Sequence, residues 1–221
     1  MTHPMPHAVP GLAQIVRLGA AHPLDPACDH FYFLRHGQTG RNALRIFQDV
    51  DEPLSELGLM QAARAAGRLA GEPIRTVVCS DARRAFDTAS AVAARLKLVP
   101  TPEARLRERH FGALIGTSSA NIDWACEPEG GETLAQFVER KRAALDAALA
   151  LPGPVLVVAH GGTLYALAAL LGVPVDAGVL GNAQPLRFAR RDGVWRAEAL
   201  TLPPMPGQPG STGQDAGAAI A

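Results

Sequence analysis

Two short apolar runs, Phe31-Tyr32-Phe33-Leu34 and Val155-Leu156-Val157-Val158-Ala159, stop in the same way: one at Arg35-His36-Gly37, the other at His160-Gly161-Gly162. Each reads as a buried strand. Further short β-branched runs alternate with helical patterns, which is how a chain builds a largely parallel sheet covered by helices on both faces. The expected fold class is therefore α/β, a three-layer α/β/α arrangement with a mainly parallel central sheet. Strands are expected near 31–35, 75–79, 155–159, 185–190 and 194–200. In such sheets ligands bind beyond the strands' carboxyl ends, and Gly37 lets the backbone turn sharply and approach a ligand closely. Two strand-His-Gly units thus point to one site holding two imidazoles.

The helical segments carry their own start signals. Ser55 is a candidate N-cap for a helix whose inner face is Leu59, Ala62, Ala66 and Leu69. Asp81 is placed to cap the next, with Phe86, Ala89, Ala93 and Leu96 inward. Thr133 and Gln136 form a capping-box pattern ahead of Leu134, Phe137, Val138, Lys141, Leu145, Ala148 and Leu149 at helical spacing. A fourth helix opens at Gly162 and runs through Leu164, Leu167, Ala168 and Leu171.

With 221 residues, 48% of them hydrophobic, the chain can bury the core of one domain. Three regions are expected: an N-terminal extension over 1–29, in which Leu12 to Ala21 forms one or two helical turns; a domain over 30–202; and a flexible tail over 203–221, rich in Pro, Gly, Ser and Ala. Lys+Arg and Asp+Glu balance at 21 each, so no global field recruits nucleic acid or a membrane surface, and cationic sites must be local. No apolar run approaches the roughly 20 residues of a spanning helix, and the amino terminus lacks the order of a signal peptide, so the expected compartment is the cytoplasm. Cys28, Cys79 and Cys126 are odd in number and unpaired in spacing, which indicates neither a disulfide framework nor a zinc site. Cys79 reads as a small buried hydrophobe. His3, His7, His22 and His30 show no regular ligand spacing and read as solvent-facing or locally bonded.

The chemistry suggested by these junctions is phosphoryl transfer. A helix amino terminus offers free N–H groups to an anion, as at Gly161-Gly162 beside His160, and an arginine's planar fork matches phosphate oxygens, as at Ser80-Asp81-Ala82-Arg83-Arg84. Catalysis of this kind is mostly positioning and charge stabilisation.

Four motifs in order, Leu34-Arg35-His36-Gly37-Gln38-Thr39, Ser80 to Ala85 with Thr88-Ala89, Glu108 to Gly112, and His160-Gly161-Gly162, resemble the histidine phosphatase superfamily, the phosphoglycerate mutase-like group. The similarity takes in Asp51 to Gly58 and covers roughly residues 31 to 200. It implies that His36 is a nucleophile forming a phosphohistidine, and that Arg35, Arg84 and His160 hold the phosphate oxygens. Glu108 matches the proton donor, and Thr39, Asn42 and Gly161 match positions lining the phosphate pocket. Arg83, by contrast, reads as solvated, and the run Arg105 to His110 reads by composition as an ordinary exposed segment.

Arg41 and Gln48 depart from residues common in the family at the pocket rim. The stretch Glu108 to Gly116 is very similar to cofactor-dependent phosphoglycerate mutases, the nearest alternative activity. Those enzymes follow it with a long basic insertion, whereas here no lysine or arginine occurs between Arg109 and Arg140. The Gly130-Gly131-Glu132-Thr133 run and Gly162, where the mutases have asparagine, resemble the short phosphatase branch. The expected activity is hydrolysis of a small phosphomonoester, with no metal and no cofactor; a homodimer is compatible with the sequence but unspecified by it. An inactive binding protein of the same fold is the alternative of another class, and such a protein would be expected to lose His36, Arg84 or Glu108.

Overall fold

A computed structural model of the chain describes residues 10–174 and 180–204. His3, His7 and most of the expected tail, residues 205–221, lie outside the described residues. The elements in order are α1 (Leu12–Ala21), β1 (His30–Arg35), α2 (Gly40–Ala43), α3 (Glu56–Leu69), β2 (Thr76–Cys79), α4 (Arg83–Leu96), β3 (Pro100–Pro102), α5 (Leu134–Leu149), β4 (Val155–Ala159), α6 (Gly161–Leu171), β5 (Pro185–Arg191) and β6 (Val194–Ala199). They form a six-stranded sheet in the order β3-β2-β4-β1-β5-β6. β3, β2, β4 and β1 run parallel, while β5 and β6 are antiparallel additions at one edge. The fold is α/β with a mostly parallel sheet, as the alternating pattern predicts.

Side chains of β1 divide strictly between the faces, as period-two geometry requires. Phe31 and Phe33 join a core with Ile15 of α1, Phe137 and Leu145 of α5 and Leu164 and Leu167 of α6. Tyr32 and Leu34 join a second core with Ala65, Ala66 and Leu69 of α3 and Ala89, Val92 and Ala93 of α4. The interior strands β1 and β4 are thus covered on both sides, which is why their sequences are almost continuously apolar.

Several sequence expectations are corrected. The edge strand β3 was not anticipated, because two of its three residues are prolines and Pro is confined to edge positions. The expected one or two turns at Leu12 to Ala21 are a ten-residue helix packed against α6, with Ile15 fully buried. Asp81 does not cap α4: the N-cap is Ala82, without a side-chain bond, and Asp81 instead accepts two hydrogen bonds from Arg107 at 2.7 and 2.6 Å. Ser55 does cap α3, and the Thr133–Gln136 capping box is formed.

Two helices bury Ala62, Ala66, Leu69, Ala89 and Ala93 as expected, but each turns one expected core residue outward. Leu59 of α3 is 55% exposed, and the inward stripe is Gly58, Ala62, Ala65, Ala66 and Leu69. The cause is a close approach at the helix start, where a Cβ on Gly58 would collide with the Gln38 carbonyl oxygen. Gly58 must therefore face the loop after β1, which leaves Leu59, the next residue round the helix, outside. In α4, Arg84 and Thr88 are turned inward and buried, which swings Phe86 out to 38% exposure.

Among the described residues no helix is long and apolar enough to cross a membrane.

Candidate active site

The site begins with the pairing of β1 and β4. Their register sets Arg35 opposite Ala159, and the His36 amide donates to the Ala159 carbonyl at 3.0 Å. The residues that follow the two strands are therefore neighbours, and the His36 and His160 rings lie edge to face with centroids 5.2 Å apart. The Gly37 amide donates to Thr88 Oγ1 at 3.1 Å, anchoring the turn on α4.

His36 Nδ1 lies 2.7 Å from the Gly37 carbonyl oxygen. A carbonyl can only accept, so Nδ1 carries the proton and Nε2 keeps its lone pair. Burial, then Arg84, then Arg35 hold the ring's pKa well below its ordinary 6.5. The ring is a neutral base with a fixed tautomer, the state required of a nitrogen nucleophile. His160 is displaced in the same direction, first by burial and then by Arg84. Its Nε2 lies 2.9 Å from Ser80 Oγ, and its Nδ1 is buried with no partner among the described residues.

Arg35 and Arg84 supply the positive charge. Arg35 Nη1 donates to the Leu180 carbonyl at 2.6 Å and Arg84 Nη1 to the Asp49 carbonyl at 2.7 Å. The Nε of each is buried without a partner. Two guanidiniums that line one cavity, each oriented through Nη1 by one carbonyl, can turn their other Nη N–H groups to an oxyanion. Arg83, the neighbour of Arg84, is exposed and pairs loosely with Asp87 at 3.8 Å.

Glu108 is held from two directions: Oε1 accepts from the Arg109 amide at 2.9 Å and Oε2 from the Gly162 amide at 2.8 Å. The second bond ties Glu108 to the first turn of α6, beside His160. Thr39 caps α2 by accepting from the Asn42 amide at 2.9 Å, and its hydroxyl donates to Gln48 Oε1 at 2.7 Å. Asn42, Gln48 and Gly161 line the same cavity of about 350 Å³ as Arg35, His36, Arg84, Glu108 and His160. Of the expected site residues, Thr39 stands just behind this wall.

The expectation of an exposed segment at Arg105 to His110 fails at two positions, since Leu106 is fully buried and Arg109 is 3% exposed. The Arg109 guanidinium donates to the carbonyls of Trp124 at 2.5 Å, Cys126 at 2.5 Å and Glu132 at 2.8 Å, so it ties the segment between Gly112 and Thr133 into a cap. Arg140 grips Glu132 at 2.6 Å and the Glu108 carbonyl at 3.2 Å. Sequence reading missed these anchors, and did not single out Ser80 or Trp124 as site neighbours. For Arg109 no local signal exists, because a buried guanidinium is identified only by the distant carbonyls it satisfies. A second chamber, of about 390 Å³, lies across Glu108 and Arg109 between Arg107 and Arg140. The guanidiniums of Arg107 and Arg140 are already paired, with Asp81 and Glu132. The buried Cys79 thiol is pushed up to about 12, first by burial, which fits a packing residue. Among the described residues no group of three or more His, Cys, Asp or Glu side chains is arranged to hold a metal.

Comparison with known proteins identifies the family. The model of the histidine phosphatase superfamily, branch 1, matches residues 31–202. Over 193 residues the chain is 37% identical to the glucosyl-3-phosphoglycerate phosphatase of Mycolicibacterium vanbaalenii, covering 72% of this chain and 85% of that protein. It is 35% identical over 170 residues to a probable phosphoglycerate mutase of Yersinia pestis, covering 66% and 76% respectively. Among solved structures, a mycobacterial glucosyl-3-phosphoglycerate phosphatase in complex with VO3 superposes with a TM-score of 0.65 at 33% identity, covering 78% of this chain and 97% of that one.

Proposed function

The chain belongs to branch 1 of the histidine phosphatase superfamily, and we propose that within it this protein hydrolyses a small phosphomonoester through a phosphohistidine on His36. The observation that carries this reading is a neutral imidazole, its Nδ1–H donating to the Gly37 carbonyl at 2.7 Å, in one cavity with two guanidiniums and a second imidazole.

The ester's phosphate sits among Arg35, Arg84 and His160, and the His36 Nε2 lone pair attacks phosphorus. The N–P bond forms as the P–O bond to the leaving group breaks. Glu108 gives its proton to the departing oxygen, so an alcohol leaves. Water then attacks the phosphohistidine and passes a proton to Glu108. The N–P bond breaks with its electron pair returning to Nε2, and inorganic phosphate is released. Ester and water are consumed, alcohol and phosphate are produced, and both side chains end as they began. Charge on the equatorial oxygens is met by preorganised donors that need no reorganisation during the reaction. His160 serves best with its proton on Nδ1, which has the Ser80 hydroxyl, 2.9 Å away, donate to Nε2. Thr39, Asn42 and Gly161 shape the pocket, and residues 30–202 form the catalytic domain.

The alternative of an inactive binding protein is disfavoured by the retention of His36, Arg84, Glu108 and His160 in one cavity. The relatives' names make glucosyl-3-phosphoglycerate the first physiological candidate to test. For the activity itself, phosphate release from p-nitrophenyl phosphate is compared in wild type and His36→Ala. A loss of at least about 10³-fold is expected when a nucleophile is removed. Equal release from both proteins refutes the reading. Interconversion of 3- and 2-phosphoglycerate dependent on bisphosphoglycerate establishes the mutase instead.

A further inference from the structure

Trp124 links the cavity to the first helix of the chain. Its side chain lines the cavity's apolar wall with Phe47, Phe111 and Ile122, while its amide donates to the Pro10 carbonyl at 3.0 Å. We infer that Pro10, Gly11 and α1 form a strut that holds Trp124 in place and thereby sets the wall against which the leaving group packs. The inference rests on the phosphatase reading above and adds a specificity-determining element to that site. That element precedes residues 31–202, the span matched by the family model.

The cap needs such a tie. No helix or strand lies between residue 115 and Leu134, so no ladder fixes the backbone there. Among the described residues, the hydrogen bonds joining residues 120–127 to the rest of the protein come from two places. Arg109 donates to the carbonyls of Trp124 and Cys126 from within the domain, and the Pro10 carbonyl accepts the Trp124 amide from outside it. A segment held by so few bonds opens locally when one of them is lost.

The strut is anchored at both ends. At the cap, Gly11 has a φ of 79°, and an added Cβ would stand 2.7 Å from the Trp124 carbonyl carbon and nearer still to the Ala125 nitrogen. Both the left-handed backbone and the close approach require glycine. At the other end α1, ten residues and about 15 Å long, lies on α6. Ile15 is fully buried, Gly19 leaves no room for a Cβ against Ala169, and the Leu24 amide donates to the Leu170 carbonyl at 2.9 Å. Because α6 starts at Gly161 beside His160, the strut references the cap to the helix that begins at the phosphate pole.

What the strut positions is an aromatic surface. The Trp124 ring meets Phe111 at 5.7 Å and Tyr165 at 5.9 Å, both edge to face, and packs over Gly162. These neighbours belong to the site, so a displacement of Trp124 alters the wall without touching Arg35, Arg84 or His160. The strut therefore acts on the fit of the leaving group and leaves phosphate binding alone.

The test uses the full chain with Gly11→Ala, which is strained at the cap and relieves that strain when Pro10 and Gly11 leave it while Ile15 keeps α1 docked. KM for p-nitrophenyl phosphate is expected to rise about twofold to tenfold, the worth of one aromatic contact, with kcat and the Ki of inorganic phosphate little changed. Trp124 is one of two tryptophans, so in a Trp195→Phe background its emission is read alone; it should shift to the red and become more accessible to acrylamide. Pro10→Gly keeps the carbonyl but frees the backbone presenting it, and should show the same changes to a lesser degree even if Gly11→Ala fails to fold. Ala63→Gly, exposed on α3, lowers stability through helix propensity alone and should change neither KM nor emission. Unchanged KM in both strut variants, with His36-dependent turnover intact, overturns the inference and leaves the phosphatase reading standing. So does a rise in KM without a change in Trp124 emission, or one matched by the Ki of phosphate or by Ala63→Gly. If wild type turns over no phosphomonoester, both fail.

Discussion

Adding one methyl group at Gly162 separates a helix-forming effect from a catalytic one. Gly162 is the second residue of α6, where replacing glycine by alanine ordinarily stabilises a helix by up to about 1 kcal/mol. Here, however, an added Cβ would stand 2.9 Å from Trp124 Cζ3, with Trp124 Cη2 and Glu108 Oε1 nearer still. To reach ordinary van der Waals separation, the Glu108 oxygen must retreat by about 1 Å, and a misplacement of that size costs on the order of 10²-fold in rate. That is about 2.7 kcal/mol of transition-state stabilisation. Crowding against a buried indole costs about 1–3 kcal/mol, which offsets or exceeds the helix gain. Gly162→Ala should therefore show kcat on p-nitrophenyl phosphate reduced about 100-fold, with a urea unfolding free energy unchanged or lowered by up to about 2 kcal/mol. Gly67→Ala is the control: it lies in α3 with nothing within 4 Å of its added Cβ, so it should gain stability and keep its activity. A Gly162→Ala enzyme working within threefold of wild type would show that Glu108 has no need of its present place, and would refute the reasoning.

Other consequences concern buried charge. Both His36 and His160 titrate well below 6.5 in the native state, so between that value and their native pKa values the unfolded chain binds protons that the folded site refuses. Their contribution to stability is complete above about 6.5 and declines as the pH falls below it, and urea midpoints at about pH 7.5 and 5.5 should show a drop that shrinks in His160→Ala. Lys141 is wholly buried, and its Nζ donates to the Arg105 carbonyl at 3.0 Å and to the Arg107 carbonyl, in the segment leading to Glu108. Lys141→Met should lower unfolding free energy by about 1 kcal/mol and kcat more than KM, because two carbonyls in the segment leading to Glu108 lose one donor and keep only Arg140. Increased stability with unchanged kcat would mean that the ammonium only filled space.

Much of this architecture is legible from residues close together in the chain. The strand runs, the caps at Ser55 and Thr133, and the inward face of α5, including Lys141, depend on interactions within a turn or two and were read correctly. So was the rise of two histidines from adjacent strand ends, since strand, turn and helix order restrict how β1 and β4 can be placed. Leu59 of α3 and Phe86 of α4 were misplaced because small residues face inward there while these two face out. Hydrophobicity alone ranks those positions the other way.

Sequence by itself determined the fold class, the family and the residue types available to chemistry, because each rests on local periodicity or on short motifs. Tertiary structure decided what those residues can do together. His160 meets Ser80 across 80 positions and Glu108 meets Gly162 across 54, and such contacts orient an imidazole or a carboxylate. The burial of Arg109 and the diversion of Asp81 to Arg107 likewise depend on which distant backbone or charge arrives beside each group. A charged side chain's role is set by its surroundings, and those are assembled only when the sheet, the helices and the cap close on one another.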